Sequence, residues 1–176
     1  LLGWSEERCS SIALAAPLHD VGKIGIPDTV LNKTGTLTSR EFNCLKSHTT
    51  LGAEILSASK SPVMRLGAKI AHYHHENYDG TGYPSGLVGS QIPIEAMITA
   101  IVDVYDALRT SRPYKEAMDH ASAIDTMCNG DERTDVSKFH PELLKTFLHN
   151  HHDFGEIYRK NTVADVPPIM LSAVAH

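Results

Sequence analysis

From Ile94 to Leu108 apolar side chains fall on nearly every face of a helix: Ile94, Ala96, Met97, Ile98, Ala100, Ile101, Val102, Val104 and Tyr105 leave almost no polar stripe. A helix of that kind is expected to be enclosed by others, because any face left to water would expose apolar surface. Apolar residues recur at helical spacing through most of the chain, with no internal repeat or long linker, so the expected fold class is all-α, one helical bundle spanning 176 residues. Hydrophobic residues make up 41% and aromatic residues only 6%, so Leu, Ile, Val, Ala and Met must fill the core.

Local signals divide the bundle. Ser5 can cap a first helix running to about Asp20, with Glu6 and Glu7 in its first turn and a bend at Pro17. The Pro- and Gly-containing stretch from Gly25 to Leu37 lacks periodicity, after which Thr38 and Glu41 form a capping-box pattern for a helix to about Ser57, with His48 inside it. Pro62 suits the first position of a helix reaching His74-His75. Gly80, Gly82, Gly86, Gly89 and Pro84 make residues 76–92 a structured loop, and Pro93 restarts the helix that carries Asp103. Further helices are expected from about Asp119 to Asn129 and from about Pro141 to His152, ahead of a less regular tail.

Charge and cysteine usage narrow the function classes. Sixteen basic against 21 acidic residues argue against a general DNA or anionic-membrane binder, so an anionic substrate must meet local positive charge. Cys9, Cys44 and Cys128 are widely spaced and form no CxxC pair, which suits a reducing, cytoplasmic setting. No stretch approaches the roughly 20 apolar residues of a membrane segment.

Asp103 is the entry point to the chemistry. A carboxylate inside a buried helix needs an ion pair, a proton or a metal. His19-Asp20, His48 and His74-His75 add five N/O donors, separated by 28 residues from Asp20 to His48, 26 from His48 to His74 and 28 from His75 to Asp103. Each group therefore comes from a different helix, as in the metal sites of helical bundles. Adjacent donors on a helix point about 100° apart, so such pairs can straddle two ions bridged by a carboxylate. Imidazole and carboxylate without thiolate favour Fe or Mn over a closed structural zinc site.

These residues stand in an ordered set of motifs: Ala15 to Asp28 (AAPLHDVGKIGIPD), His48, His74 to Pro84 (HHENYDGTGYP), Asp103 to Leu108 (DVYDAL) and Arg112 to Lys115 (RPYK). The chain thereby resembles HD-GYP domains of the HD phosphohydrolase superfamily, over about residues 15–115, with C-terminal helices at about 119–160. The resemblance implies an HD-domain bundle with a metal site in its core. It implies a bacterial signalling phosphodiesterase that hydrolyses cyclic di-GMP to pGpG and GMP, using two divalent ions, or three in trimetal members.

Carried over, the resemblance makes His19, Asp20, His48, His74, His75 and Asp103 metal ligands, with Asp20 the bridge. Lys23 would orient the attacking water or a phosphate oxygen, or else be a solvated lysine at a helix end. Arg112 and Lys115 would contact phosphate, and Arg112 suits it geometrically. Tyr83 of Gly82-Tyr83-Pro84 would touch a guanine or contact GGDEF-domain partners, or else pack a tight loop on the bundle. Asp106 is expected behind a ligand histidine, and Glu76 and Asp79 to order the loop. The family also implies a further helix before residue 1, bearing another ligand histidine, and an upstream receiver or sensor domain. Read this way, residues 1–176 are one HD-GYP domain lacking its first helix. His140 is expected to be a poor helix cap, and His149, His151 and His152 to lie solvated at a helix end. The competing readings are a catalytically weak module that binds partners through the Gly82-Tyr83-Pro84 loop, another HD nucleotide phosphohydrolase, and a di-iron oxidase.

Overall fold

A computed structural model describes residues 2–111, 116–131 and 134–162 of the chain. Its α-helices are α1 (Glu6–Ala15), α2 (Asp28–Leu31), α3 (Ser39–Lys46), α4 (His48–Ser57), α5 (Pro62–Tyr73), α6 (Ile94–Arg109), α7 (His120–Asn129), α8 (Pro141–His149) and α9 (His151–Thr162), and no strand occurs among the described residues. The all-α expectation holds. Ser5 caps α1 by accepting the Arg8 N–H, the Thr38–Glu41 capping box opens α3, Pro62 and Pro93 sit at helix starts, and α7 ends at Gly130 with φ 77°.

Three helix boundaries differ from the sequence expectation. The first helix stops at Ala15 and tightens into 3₁₀ turns at Ala16–Leu18 and Val21–Gly25, because Pro17 has no N–H and its ring cannot follow an α-helical turn. The helix expected from Thr38 to Ser57 breaks at Ser47. There the Ser47 hydroxyl donates to the Cys44 carbonyl (2.7 Å), His48 Nδ1 meets the Leu45 carbonyl (2.6 Å) and the Thr49 hydroxyl donates to the Lys46 carbonyl (2.9 Å). Side chains compete with the backbone ladder, and His48 opens α4 instead of lying mid-helix. The C-terminal helix likewise divides at Asn150, and helix continues past the end expected at His152 to Thr162, close to the limit of about 160 that the resemblance implies. His140 proves a working cap, its Nδ1 accepting from Leu143 N at 3.4 Å.

Among the described residues, two clusters hold most of the core. One joins α4 and α5 through Leu56, Ala68 and Ala71, with Leu18 and Val21 packed on it. The other is built on Met97, Ile101, Tyr105 and Leu108 of α6 against Met127 of α7 and Leu144 and Phe147 of α8. Enclosure of α6 is incomplete: Val102 is 41% exposed, and a cavity of about 720 Å³ lies along Ile12 and Ala16 of the first segment and Val102 and Asp103 of α6. The Val21–Gly25 turn is pressed onto α4 at two glycines. A Cβ on Gly22 would fall 1.9 Å from the His48 carbonyl oxygen and 2.5 Å from Gly52 N, so this approach is open only to glycine.

Candidate metal centre

The tight turn after α1 carries His19 and Asp20, the start of α4 carries His48, the end of α5 carries His74 and His75, and the middle of α6 carries Asp103. Tertiary packing brings all six together. Donor atoms of Asp20, His48, His74 and His75 lie within 4.8 Å of one another. His19 Nε2 stands 3.4 Å from Asp20 Oδ2 and 3.7 Å from Asp103 Oδ1, which attaches the remaining two residues to the same carboxylate.

Helix ends orient the imidazoles. Nδ1 of His19 faces the Ala16 carbonyl (2.9 Å), Nδ1 of His48 the Leu45 carbonyl (2.6 Å) and Nδ1 of His74 the Ala71 carbonyl (2.9 Å). A carbonyl only accepts, so each Nδ1 carries a proton; the neutral rings of His48 and His74 direct an Nε2 lone pair inward, while His19 turns its Nε2 toward the carboxylates of Asp20 and Asp103. His48 Nε2 and His74 Nε2 point at Asp20 Oδ1 from 3.4 and 3.8 Å and stand 3.5 Å apart. That oxygen is buried and receives no hydrogen bond. An anionic oxygen facing two lone pairs is repulsive unless a cation lies among them, so the donor set fits a metal ion.

Electrostatics divide the cluster into two sides. Burial drives His74 down to about 4, helped by the charge on His19, and His75 down to about 3, helped by His74 and His48; His48 is lowered for the same first reason. These rings are neutral, the ligating form. Burial also pulls His19 down, but hydrogen bonds to Asp103 and Asp20 outweigh it and raise the group to about 10. Asp20 is held well below the carboxylate range by His19 and Lys23 against the opposing effect of burial. Asp103, about a third accessible at 32%, is paired with His19, which lowers it in spite of burial. Lys23 is no free surface lysine: its Nζ lies 2.5 Å from Asp20 Oδ2.

Tyr83 stacks on His75, with ring centroids 4.8 Å apart and planes 26° apart, and from α3 the Phe42 ring stands edge-on to it at 6.4 Å and Lys46 Nζ lies 5.2 Å from its centroid. The loop is folded hard against the end of α5, since a Cβ on Gly82 would fall 2.2 Å from Asn77 N. Buried Glu76 organises it by accepting from Ser85 N (2.6 Å) and Leu87 N (2.9 Å), and Asp79 accepts from Thr81 N (2.9 Å), as expected for loop-ordering carboxylates. Asp106 corrects the sequence reading. It is exposed and accepts from the Thr110 hydroxyl at 3.5 Å, and its carboxylate pairs with no histidine of the centre. Arg112 and Lys115 lie outside the described residues. Sequence reasoning missed Gly22 and Gly52 as the contact that seats Asp20 against His48. It also left His120 out of any cluster, since the contacts that give it neighbours are all tertiary.

Fold and site together define an all-α domain in which His and Asp side chains from four segments surround a place for metal. The HD domain family matches residues 1–137, and the chain belongs to that family. It is 43% identical over 164 residues to a "Cyclic di-GMP phosphodiesterase" of Thermotoga maritima, covering 93% of this chain and 44% of that protein. It is 57% identical over 124 residues to the "Cyclic di-GMP phosphodiesterase response regulator RpfG" of Xanthomonas campestris pv. campestris, covering 69% of this chain and 33% of that protein. A "3'3'-cGAMP-specific phosphodiesterase 2" of Vibrio cholerae is 40% identical over 154 residues, 88% of this chain and 29% of that protein. The chain thus spans less than half the length of these relatives. No helix among the described residues is long and apolar enough to cross a membrane.

Proposed function

We propose that the chain is a metal-dependent phosphodiesterase that hydrolyses cyclic di-GMP to pGpG, GMP or both in bacterial signalling. The observation that carries this reading is Asp20 Oδ1, buried without a donor and faced by the Nε2 atoms of His48 and His74. Two ions of the Fe or Mn type would be held here, with Asp20 as the shared ligand, His48, His74 and His75 on one side of it and His19 and Asp103 on the other. Bound there, such ions would lower the pKa of water and clamp phosphate oxygens. Lys23 neutralises Asp20 Oδ2 and is placed to hold a phosphate oxygen or orient the attacking water at the same edge. The apolar cavity beside His19 and Asp103, about 720 Å³, has the size of a nucleotide pocket. Arg112 and Lys115 supply positive charge for the phosphates. Tyr83, held by His75 on the rim of the centre, would contact a guanine, and the loop offers a contact for GGDEF-domain partners. An upstream receiver or sensor domain fits the "response regulator" relative.

The relative from Vibrio cholerae favours a second substrate, a cyclic dinucleotide with one adenine. The test is hydrolysis of cyclic di-GMP and of 3'3'-cGAMP, with Mn²⁺ or Fe²⁺ supplied anaerobically, by the chain and by Asp20→Ala. Asp20→Ala should lose turnover on both and bind less metal. Wild-type rates in that variant would refute the bridge, and turnover of 3'3'-cGAMP alone would replace the substrate.

A further inference from the structure

His120 at the start of α7 and His151 and His152 at the start of α9 form a second cluster, with one donor atom from each within 4.8 Å of the others. His120 Nε2 lies 3.0 Å from His151 Nδ1, close to the separation of two nitrogens on one tetrahedral ion with bonds of about 2.0 Å. The other nitrogen of His120 meets the hydroxyl of buried Tyr105 at 2.8 Å, the kind of outer partner that fixes a ligand ring. Gly155 makes room: a Cβ there would fall 3.1 Å from the His120 ring, so α9 lies directly over the imidazole.

A second, independent feature adjoins the cluster. A cavity of about 290 Å³ is lined by His120 and His152 together with Arg109, Glu156 and Arg159. Arg109 contributes Nε and Nη1, which are buried and receive no acceptor. Three neutral imidazoles leave a divalent ion with its full charge, so its fourth ligand would be an anion, and an anion in this cavity would satisfy the Arg109 donors.

We propose that His120, His151 and His152 form a second metal site, separate from the Asp20 centre, which takes a borderline transition-metal ion of the Zn²⁺, Co²⁺ or Ni²⁺ type with an anion as fourth ligand. Its three protein donors are all imidazoles, so it differs from the Asp20 centre in donor chemistry, and it ties α9 to α7. The test loads the chain, His151→Ala and His152→Gln with Co²⁺ or Zn²⁺ in chloride buffer, then measures metal per chain, the visible Co²⁺ spectrum and the melting temperature. His152 is exposed, so His152→Gln should keep the fold even if His151→Ala does not. The expected result is one equivalent less metal in each variant, loss of the absorption of four-coordinate Co²⁺, and loss of the Zn²⁺-induced rise in melting temperature. Hydrolysis should be unchanged in His152→Gln. Equal metal content and spectra in the chain and His152→Gln would overturn the proposal and leave Tyr105, His120 and His151 as a hydrogen-bonded relay.

Discussion

Replacing Gly22 by alanine tests how the Asp20 centre is assembled without touching a donor. The new Cβ would lie 1.9 Å from the His48 carbonyl oxygen, where ordinary contact begins near 3.4 Å, so the Val21–Gly25 turn and α4 must separate by about 1.5 Å. Both obstacles are backbone, the His48 carbonyl and Gly52 N, so no side chain can swing aside. Asp20 immediately precedes this turn and His48 opens α4, so the separation acts directly on their contact. If it falls along the line from Asp20 Oδ1 to His48 Nε2, their 3.4 Å distance opens to nearly 5 Å. Two donors with bonds of about 2.1 Å span at most about 4.2 Å across one ion, so they could no longer share it. Overpacking of this kind costs about 1–3 kcal/mol of stability, and a misplacement of about 1 Å costs on the order of 100-fold in rate. The assay pairs metal content and cyclic di-GMP hydrolysis with thermal melting. Gly35→Ala, whose Cβ meets nothing within 4 Å, is the control. A Gly22→Ala chain with full metal and a rate within twofold of the parent would refute the claim that this glycine contact sets the centre.

Metal uptake should release one proton per chain at pH 8. His19 is raised from 6.5 to about 10, so its proton must leave before it can ligate, while His48, His74 and His75 are lowered and already neutral. In the absence of metal this ion pair stabilises the fold fully below about 6.5, and the contribution fades as pH rises through about 10, whereas apparent metal affinity should climb about tenfold per pH unit over that window. Titration calorimetry in buffers of different ionisation heat measures the proton, and its absence would show that His19 is not a ligand. Glu76→Ala strips the acceptor from the Ser85 and Leu87 amides and should destabilise by about 1–3 kcal/mol, with hydrogen exchange rising across residues 76–92; unchanged protection there would contradict the loop-ordering role. Thr38→Ala removes the capping box of α3 and should cost about 0.5–2 kcal/mol in denaturant melts while leaving metal content intact.

Where the backbone obeys short-range rules, the sequence was a sufficient guide. Ser5, Thr38, Pro62, Pro93 and Gly130 act within a few residues of themselves, so the helix ends they mark are local chemistry. That six side chains, His19, Asp20, His48, His74, His75 and Asp103, come together was legible for a related reason: a carboxylate and paired histidines on apolar helices need polar partners where the helices meet. Competition between side chains and the helix ladder at Ser47 and Asn150 was harder to see, because its outcome depends on a few hydrogen bonds of similar energy. Three things were decided only in the folded chain. Gly22 against Gly52 sets how near Asp20 comes to His48, the carbonyls of Ala16, Leu45 and Ala71 choose which nitrogen of each histidine faces inward, and the meeting of α7 with α9 gives His120 its neighbours. Residue type and spacing determine which groups are available for chemistry. Distance, tautomer and burial belong to contacts between segments far apart in the chain, and those exist only after it has packed.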